Sequence, residues 1–290
     1  MMKRDALSPS RIAAKVPLHL AILLFAAIWI IPTLGLLITS FRDPASIAGT
    51  GWWTVFPKLF SGGQYSLENY IGVLQGEGLA RSFLNSLIIS VPATAISTFI
   101  ASFAAFGFAW MRFTGRRTLF MLLVGLMVIP LQMTFIPILP IYSKLQLAGT
   151  FPGIWLAHTA YGLPLTTYLV HNFMAGIPKD LFDSAAIDGA SPFKTFARIV
   201  MPISVPALAS VFIFQFLWIW NDLLVGLIYL GGKPDVAPLT VSIANLVTNR
   251  GQDWELLTAA AFVSMALPLI VFFSLQRYFV RGILAGSVKG

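Results

Sequence analysis

The chain has 290 residues, 57% of them hydrophobic and only 10% charged, with 24 Phe, 8 Trp and a mean hydropathy of +0.82; soluble domains sit near half apolar, so the composition is that of an integral membrane protein. Cysteine is absent, which excludes a disulfide framework, a thiolate metal site and a cysteine nucleophile. The net charge of +8 is dispersed between apolar runs and forms no basic cluster interleaved with aromatics, so it points to membrane topology and away from nucleic acid.

A helix crossing the hydrocarbon core needs about 20 mostly apolar residues. In chain order, a tail over 1–15 is followed by apolar runs at 16–41, 82–111, 118–143, 145–178, 199–221 and 256–276. The first is too long for a signal peptide and no small-residue cleavage site follows, so it reads as a retained span. The fourth exceeds one crossing, and its start, LQLAGTFPG, reads as a turn outside the bilayer. Six spans place both termini on one side. With the amino terminus inside, the inner segments hold Lys3, Arg4, Arg11, Lys15, Arg112, Arg116, Arg117, Lys179, Lys194, Arg198, Arg277, Arg281 and Lys289. That is 13 of the 19 Lys and Arg residues, so the positive-inside rule makes both termini cytoplasmic.

Two outer loops are long. Residues 42–81 are rich in Gly, Trp and Tyr, as an interfacial aromatic belt or a partner-facing loop would be, and residues 231–255 carry turn residues at both ends of a short apolar middle.

Between the fourth and fifth runs lies DSAAIDGASPFKTFARIVMP, residues 183–202. Pro178 suits the first turn of a helix, Asp180 and Asp183 favour its positive end, and Gly189 stops it. Ser191 and Pro192 form an N-cap and first-turn pair that starts a second helix at once. The spacing therefore predicts a compact elbow of two short helices about a glycine, with the fifth span proper beginning near Val205. Phe193, Phe196, Ala197 and Val200 make an apolar stripe on the second helix, and Phe182, Ala185 and Ala186 a smaller one on the first. Such an elbow could lie on the bilayer surface or dock on a protein. From Ile177 to Ser204, Lys179, Lys194 and Arg198 are balanced by Asp180, Asp183 and Asp188, a neutrality that favours protein docking.

This segment resembles the cytoplasmic signature of the permeases of ABC importers, whose coupling helix sits in a cleft of an ATPase subunit. Asp183-Ser184-Ala185 stands for the family's Glu-Ala-Ala, Asp188-Gly189-Ala190 for its Asp-Gly-Ala, and Ile199-Val200-Met201-Pro202 for its Ile-x-Leu-Pro tail. The departures are Asp for Glu, Ser for Ala and Met for Leu, with the spacing retained. The resemblance runs from about Val16 to Gly290 and narrows to the maltose-type carbohydrate branch. FLNSL at 83–87, YLVHNFMAGIP at 168–178, FLWIWND at 216–222 and the end LQRYFVRGILAGSVKG are similar to its α-glucoside group.

The resemblance implies an all-α polytopic permease domain over 16–290 in the cell inner membrane, with a coupling loop at 177–204 and a cytoplasmic tail at 277–290 that reaches the ATPases. It implies ATPase docking by Phe182, Asp183, Ser184, Ala185, Asp188, Gly189 and Phe193. It also implies two ATPase subunits that bind ATP and Mg, a second homologous permease, an external sugar-binding protein, and an oligosaccharide such as an α-glucoside as cargo. No cofactor is expected on this chain.

Polar groups within the runs are the candidates for a substrate pathway. Asp222 ends the fifth run after Trp218, Trp220 and Asn221; an ionisable group at membrane depth is costly enough to suggest function, and an interfacial place is the alternative. Asn85, Gln132 and Gln215 serve either interhelical hydrogen bonds or sugar contact. Pro130, Pro137, Pro140, Pro164 and Pro268 mark kinks or gates within spans. His19, His158 and His171 lack metal-ligand spacing. The chain encodes no nucleotide site: Gly232-Lys233 is followed by Pro234 and fails the phosphate-loop pattern. An energy source must then be another chain. An ion-coupled secondary transporter, the alternative, would show more intramembrane charge and repeated halves, and a membrane enzyme would need clustered acid, base, nucleophile or metal ligands.

Overall fold

A computed structural model describes residues 9–58, 65–249 and 253–287. All regular structure among them is helical. The start of the amino-terminal tail and residues 288–290 of the carboxy-terminal tail lie outside the described residues, as do 59–64 and 250–252 in the two long loops. The chain divides into two compact units, residues 1–77 with 249–262, and residues 78–248 with 263–290.

In the first unit, α1 (Pro9–Thr39) begins before the first apolar run and covers it up to Thr39, with Ser40 and Phe41 in the turn that follows. Its side chains from Val16 to Ile31 are exposed and apolar all round, as a helix facing lipid requires. Beyond α1 the chain is knotted by hydrogen bonds. Arg42 is buried and donates to the carbonyls of Ser46 and Thr50 at the end of α2 (Pro44–Gly49). Asp43 caps the start of α2 through the Ser46 amide at 2.9 Å, and the Ser46 hydroxyl and amide together hold its carboxyl below the usual range. A 3₁₀ turn at Trp52–Lys58 lays Trp52 against Gly35, where an added Cβ would stand 2.8 Å from the indole. Asn69, on α3 (Glu68–Ile71), donates to the carbonyls of Ser40 and Arg42 at 2.9 and 2.8 Å.

The second unit is organised around α4 (Leu79–Trp110), about 48 Å long at 1.5 Å per residue. Small residues recur along one face of it: Ser82, Ser86, Ser90, Ala93, Ser97, Ala101 and Ala105 are all buried. Lipid tails are as apolar as leucine, so helices in a membrane associate chiefly by close van der Waals packing, which small residues permit. The principal partner is α7 (Phe151–Ala175), itself carrying buried Gly153, Ala157 and Gly162. Two indoles bolt the pair. Trp155 Nε1 donates to Ile88 O at 2.7 Å, and Trp110 Nε1 donates to Met174 O at 2.8 Å. Those pairings make α4 and α7 parallel, so the chain between them must cross back.

It does so as a broken element. The structure replaces the continuous third span expected over 118–143 by α5 (Arg116–Gly125), a short 3₁₀ turn and α6 (Leu131–Lys144), bent by 101°. Pro130 has no N–H and disfavours helical backbone at Ile129, which is extended at φ −74°, ψ 119°. Pro137 and Pro140 stay inside α6. After α7 come α8 (Lys179–Ile187), α9 (Pro192–Thr195), a π turn at Phe196–Val200 and α10 (Met201–Trp220). The last three form one helix, Pro192–Trp220. The helix that carries the fifth run therefore starts inside the elbow, before Val205, because the π turn absorbs the extra residue without breaking the helix. It runs antiparallel to α4: Phe196 packs on Phe106 and Trp220 on Phe83. Then α11 (Leu224–Leu230) and α12 (Leu239–Asn249) fold over the far end. Finally α13 (Trp254–Ser287) brings Ser264 to the Trp220 indole.

Among the described residues four helices are long and apolar enough to cross a membrane, namely Lys15–Thr39, Leu79–Trp110, Pro192–Trp220 and Trp254–Ser274, and the bent pair adds a fifth if it is one broken span. Although α7 has the length, about 38 Å, it is the more polar helix, with His158, Thr159, Thr166 and Thr167 all buried. An interior helix faces protein, so it does not need an apolar surface all round.

The closest approach of a backbone atom to a glycine gives a test. A Cβ at Gly153 would lie 2.1 Å from the Leu147 carbonyl oxygen, whereas at Gly107 it meets nothing within 4 Å. Gly153→Ala is expected to destabilise the chain by about 1–3 kcal/mol and Gly107→Ala to be neutral, read as thermal loss of monodispersity in detergent.

Candidate functional site

The elbow between α7 and α10 is built as its sequence requires. Gly189 has φ +70°, a left-handed conformation that L side chains rarely adopt. Around it the Ala190 amide donates to Ala185 O at 2.9 Å and the Gly189 amide to Ala186 O at 3.1 Å. That pair of bonds is a Schellman C-cap, which satisfies the last carbonyls of α8. The Ser191 hydroxyl then accepts from the Lys194 amide at 3.3 Å, with Pro192 at the first helical position. Stop and start signals are thus separated by one residue, and the chain turns sharply.

The elbow is mounted on an apolar cluster in which Phe106, Val170, Met174, Ile177, Phe196 and Val200 are buried. Phe182 stacks on Trp110 with ring centroids 3.6 Å apart and planes at 18°, and Trp110 is itself held by its bond to Met174 O. Ala185 is buried beside this stack. The docking residues expected from the sequence therefore fall in two groups. Phe182 and Ala185 face the interior and fix the elbow, while Asp183, Ser184, Asp188, Gly189 and Phe193 are exposed. The apolar stripe of the second helix divides likewise, with Phe196 and Val200 inside, and Phe193 at 68% exposure and Ala197 outside. Asp183 makes an exposed pair with Lys179 at 3.3 Å, which contributes little in water.

The most exposed apolar side chain here is Ile187, at 87%. It lies off the apolar stripe, next to Asp188, and that misplacement was the signal in the sequence. Leu181, Ser184 and Ile187 are exposed on α8, and Phe193 is exposed on α9; these uncharged side chains are flanked in sequence by the exposed carboxylates of Asp183 and Asp188.

The candidates for a pathway separate by environment. Gln132 and Asn221 are exposed, and the Asn221 amide donates to Leu217 O at 2.8 Å. The Asp222 carboxylate is half-buried and accepts from the Gly226 amide at 3.1 Å, tying down the first turn of α11. Asn85 is buried and donates to Asp235 O and Ala237 O at 3.0 and 3.1 Å. Gln215, 3% exposed, accepts from Thr166 and covers Gly162. Among the described residues no three His, Cys, Asp or Glu side chains gather as metal ligands.

With Trp110 as anchor, Phe182→Ala is expected to speed hydrogen exchange of the α8 amides by about tenfold or more, the loss of a buried aromatic contact being worth at least that. Ile187→Ser should leave exchange unchanged, because nothing covers that side chain.

A family model described as "Binding-protein-dependent transport system inner membrane component" matches residues 81–285. The chain is 59% identical over 275 residues to an osmoprotective compounds uptake permease protein of Synechocystis sp., covering 95% of this chain and 92% of the relative. It is 40% identical to the alpha-glucoside transport system permease protein of Rhizobium meliloti, covering 94% and 96%. Among solved structures, a bacterial ABC transporter involved in the import of the acidic polysaccharide alginate matches in fold at TM-score 0.76 and 18% identity, covering 95% and 99%.

Proposed function

The chain belongs to the family of binding-protein-dependent transport system inner membrane components, and we propose that it is the permease subunit of an ATP-driven importer for α-glucosides delivered by an external binding protein. It is the membrane component, without the catalytic part. In this reading six helices cross the membrane, α7 among them, both termini and the elbow are cytoplasmic, and ATP and Mg act on two partner ATPase subunits. A second, homologous permease completes the channel.

The observation that carries the reading is an exposed apolar knob, Ile187 with Phe193, on an elbow rigidly joined to the membrane core. A subunit with no phosphate loop must take its energy through a contact, and a stiff lever is what a contact can move. When the ATPases close, a push on α8 would pass through the Phe182–Trp110 stack into α4 and α7, and through the unbroken Pro192–Trp220 helix into α10. The spans would thereby switch between two states of access.

The cargo is supported by the relatives' descriptions. One is an α-glucoside permease and the other takes up osmoprotective compounds; neutral disaccharides of the trehalose and maltose type are α-glucosides, and trehalose also protects against osmotic stress. Gln132 and Asn221, exposed and uncharged, suit hydrogen bonding to such a neutral polyol better than the bonded Asn85 or the capping Asp222.

Affinity purification from the native membrane tests the elbow. The unaltered chain should bring down an ATPase and a second permease. Ile187→Asp, Phe193→Asp and Gly189→Pro should each reduce ATPase recovery by about tenfold or more, as loss of an interface hot spot does, with the second permease retained. Recovery of the chain alone, transport-competent, would overturn the importer reading. Separately, cells relying on this importer should accumulate labelled trehalose or maltose; uptake of neither would overturn the cargo and leave the elbow standing.

A further inference from the structure

At the end of α4 opposite the elbow, polar side chains are spent on a single neighbour. The Ser82 and Ser242 hydroxyls are 2.7 Å apart, the Asn85 amide bridges the carbonyls of Asp235 and Ala237, and the Leu239 amide donates to Ser86 Oγ at 2.8 Å. Arg81 and Asp235 form an exposed ion pair at 3.0 Å outside them. All of the bonds join α4 to the segment running from α11 into α12. That segment is stiff: Ala237, Leu239, Val241 and Leu246 are buried, and Thr240 donates to Asp222 O at 2.6 Å. Pro238 packs against Gly226, where an added Cβ would lie 2.9 Å from its ring.

From Asn85, α4 runs unbroken to Trp110, about 38 Å further at 1.5 Å per residue. Trp110 stacks on Phe182 of the elbow and bonds Met174 O. One helix thus holds the α11–α12 segment at one end and the elbow at the other. A signal from outside that must reach the ATPases needs a connected element that moves as a body, and α4 is bonded at both ends.

We propose that Asn85, with Ser82 and Ser86, is a positioning residue that latches the α11–α12 segment to α4, so that displacement of the segment is delivered along α4 to the elbow. The proposal rests on the importer reading above. The bound partner acts on the segment, and the latch converts its push into movement of Phe182. Without Asn85 the segment rocks alone and α4 stays still.

The test uses the whole importer in lipid nanodiscs, with its binding protein carrying the sugar it retains on purification. Because the chain has no cysteine, Ser82→Cys with Ser242→Cys gives a latch that oxidation closes. Asn85→Ala is expected to lower the ATPase rate stimulated by the binding protein by about fivefold or more, the scale of a typical coupling. Closing the Ser82→Cys/Ser242→Cys disulfide in the Asn85→Ala chain is expected to restore that rate, which a direct sugar contact by Asn85 would not allow. An undiminished rate in Asn85→Ala, or a lost rate that the disulfide fails to restore, overturns the latch. If Asn85→Ala does not insert, Ser86→Ala in the same cross-linkable chain takes its place under the same criteria. Absence of the ATPase from the unaltered complex would instead defeat the importer reading, and is seen before any variant is compared.

Discussion

The parallel packing of α4 on α7 is the constraint from which the rest of the second unit follows. It depends on side chains small enough to bring two helix backbones together, Ser86, Ser90, Ala93 and Ala101 on α4, and Ala157 on α7. Two indole N–H bonds, Trp155 to Ile88 and Trp110 to Met174, set its register. Because the helices are parallel, α5 and α6 must return between them, and the elbow after α7 comes to the end of α4 that Trp110 occupies. Shared ends are the reason a signal at the elbow has a core to push against.

The elbow itself divides labour between two kinds of aromatic side chain. Phe196 is buried and Phe182 half-buried, and they give up surface to Phe106 and Trp110. Phe193 and Ile187 stay in the open. An isolated exposed apolar residue carries little meaning, but two flanking a Schellman turn whose conformation is fixed by Gly189 form a shaped surface.

Much of this was legible in the chain because caps and turns are local chemistry. Gly189, Ser191 and Pro192 specify the elbow through their own backbone preferences, and the structure forms it there. The division of the elbow's apolar residues was not legible, since Phe182 faces inward only because Trp110, on another helix, lies there to meet it. Pro130, Pro137 and Pro140 looked alike in the sequence, yet only Pro130 breaks the helix, at a step where Ile129 adopts extended backbone. The fourth run, 145–178, was legible by its apolarity, and α7 (Phe151–Ala175) lies within it; what apolarity did not show is that its threonines and histidine are buried. Asp222, which looked costly at membrane depth, and Asn85, which read as a group for interhelical bonds or sugar contact, both hold backbone groups at the far end of the unit; sequence shows such a group without showing its partner.

Docking of the elbow in an ATPase is the central claim, and the natural absence of cysteine makes it directly measurable. A chain carrying Ile187→Cys as its sole thiol would be exposed to a membrane-impermeant maleimide in opened vesicles, once with the importer assembled and once after the ATPase subunits are stripped away. The account predicts slow labelling in the assembled importer and a rise of about tenfold or more on stripping, as expected when a central interface side chain is uncovered. Equal labelling in both states would contradict it.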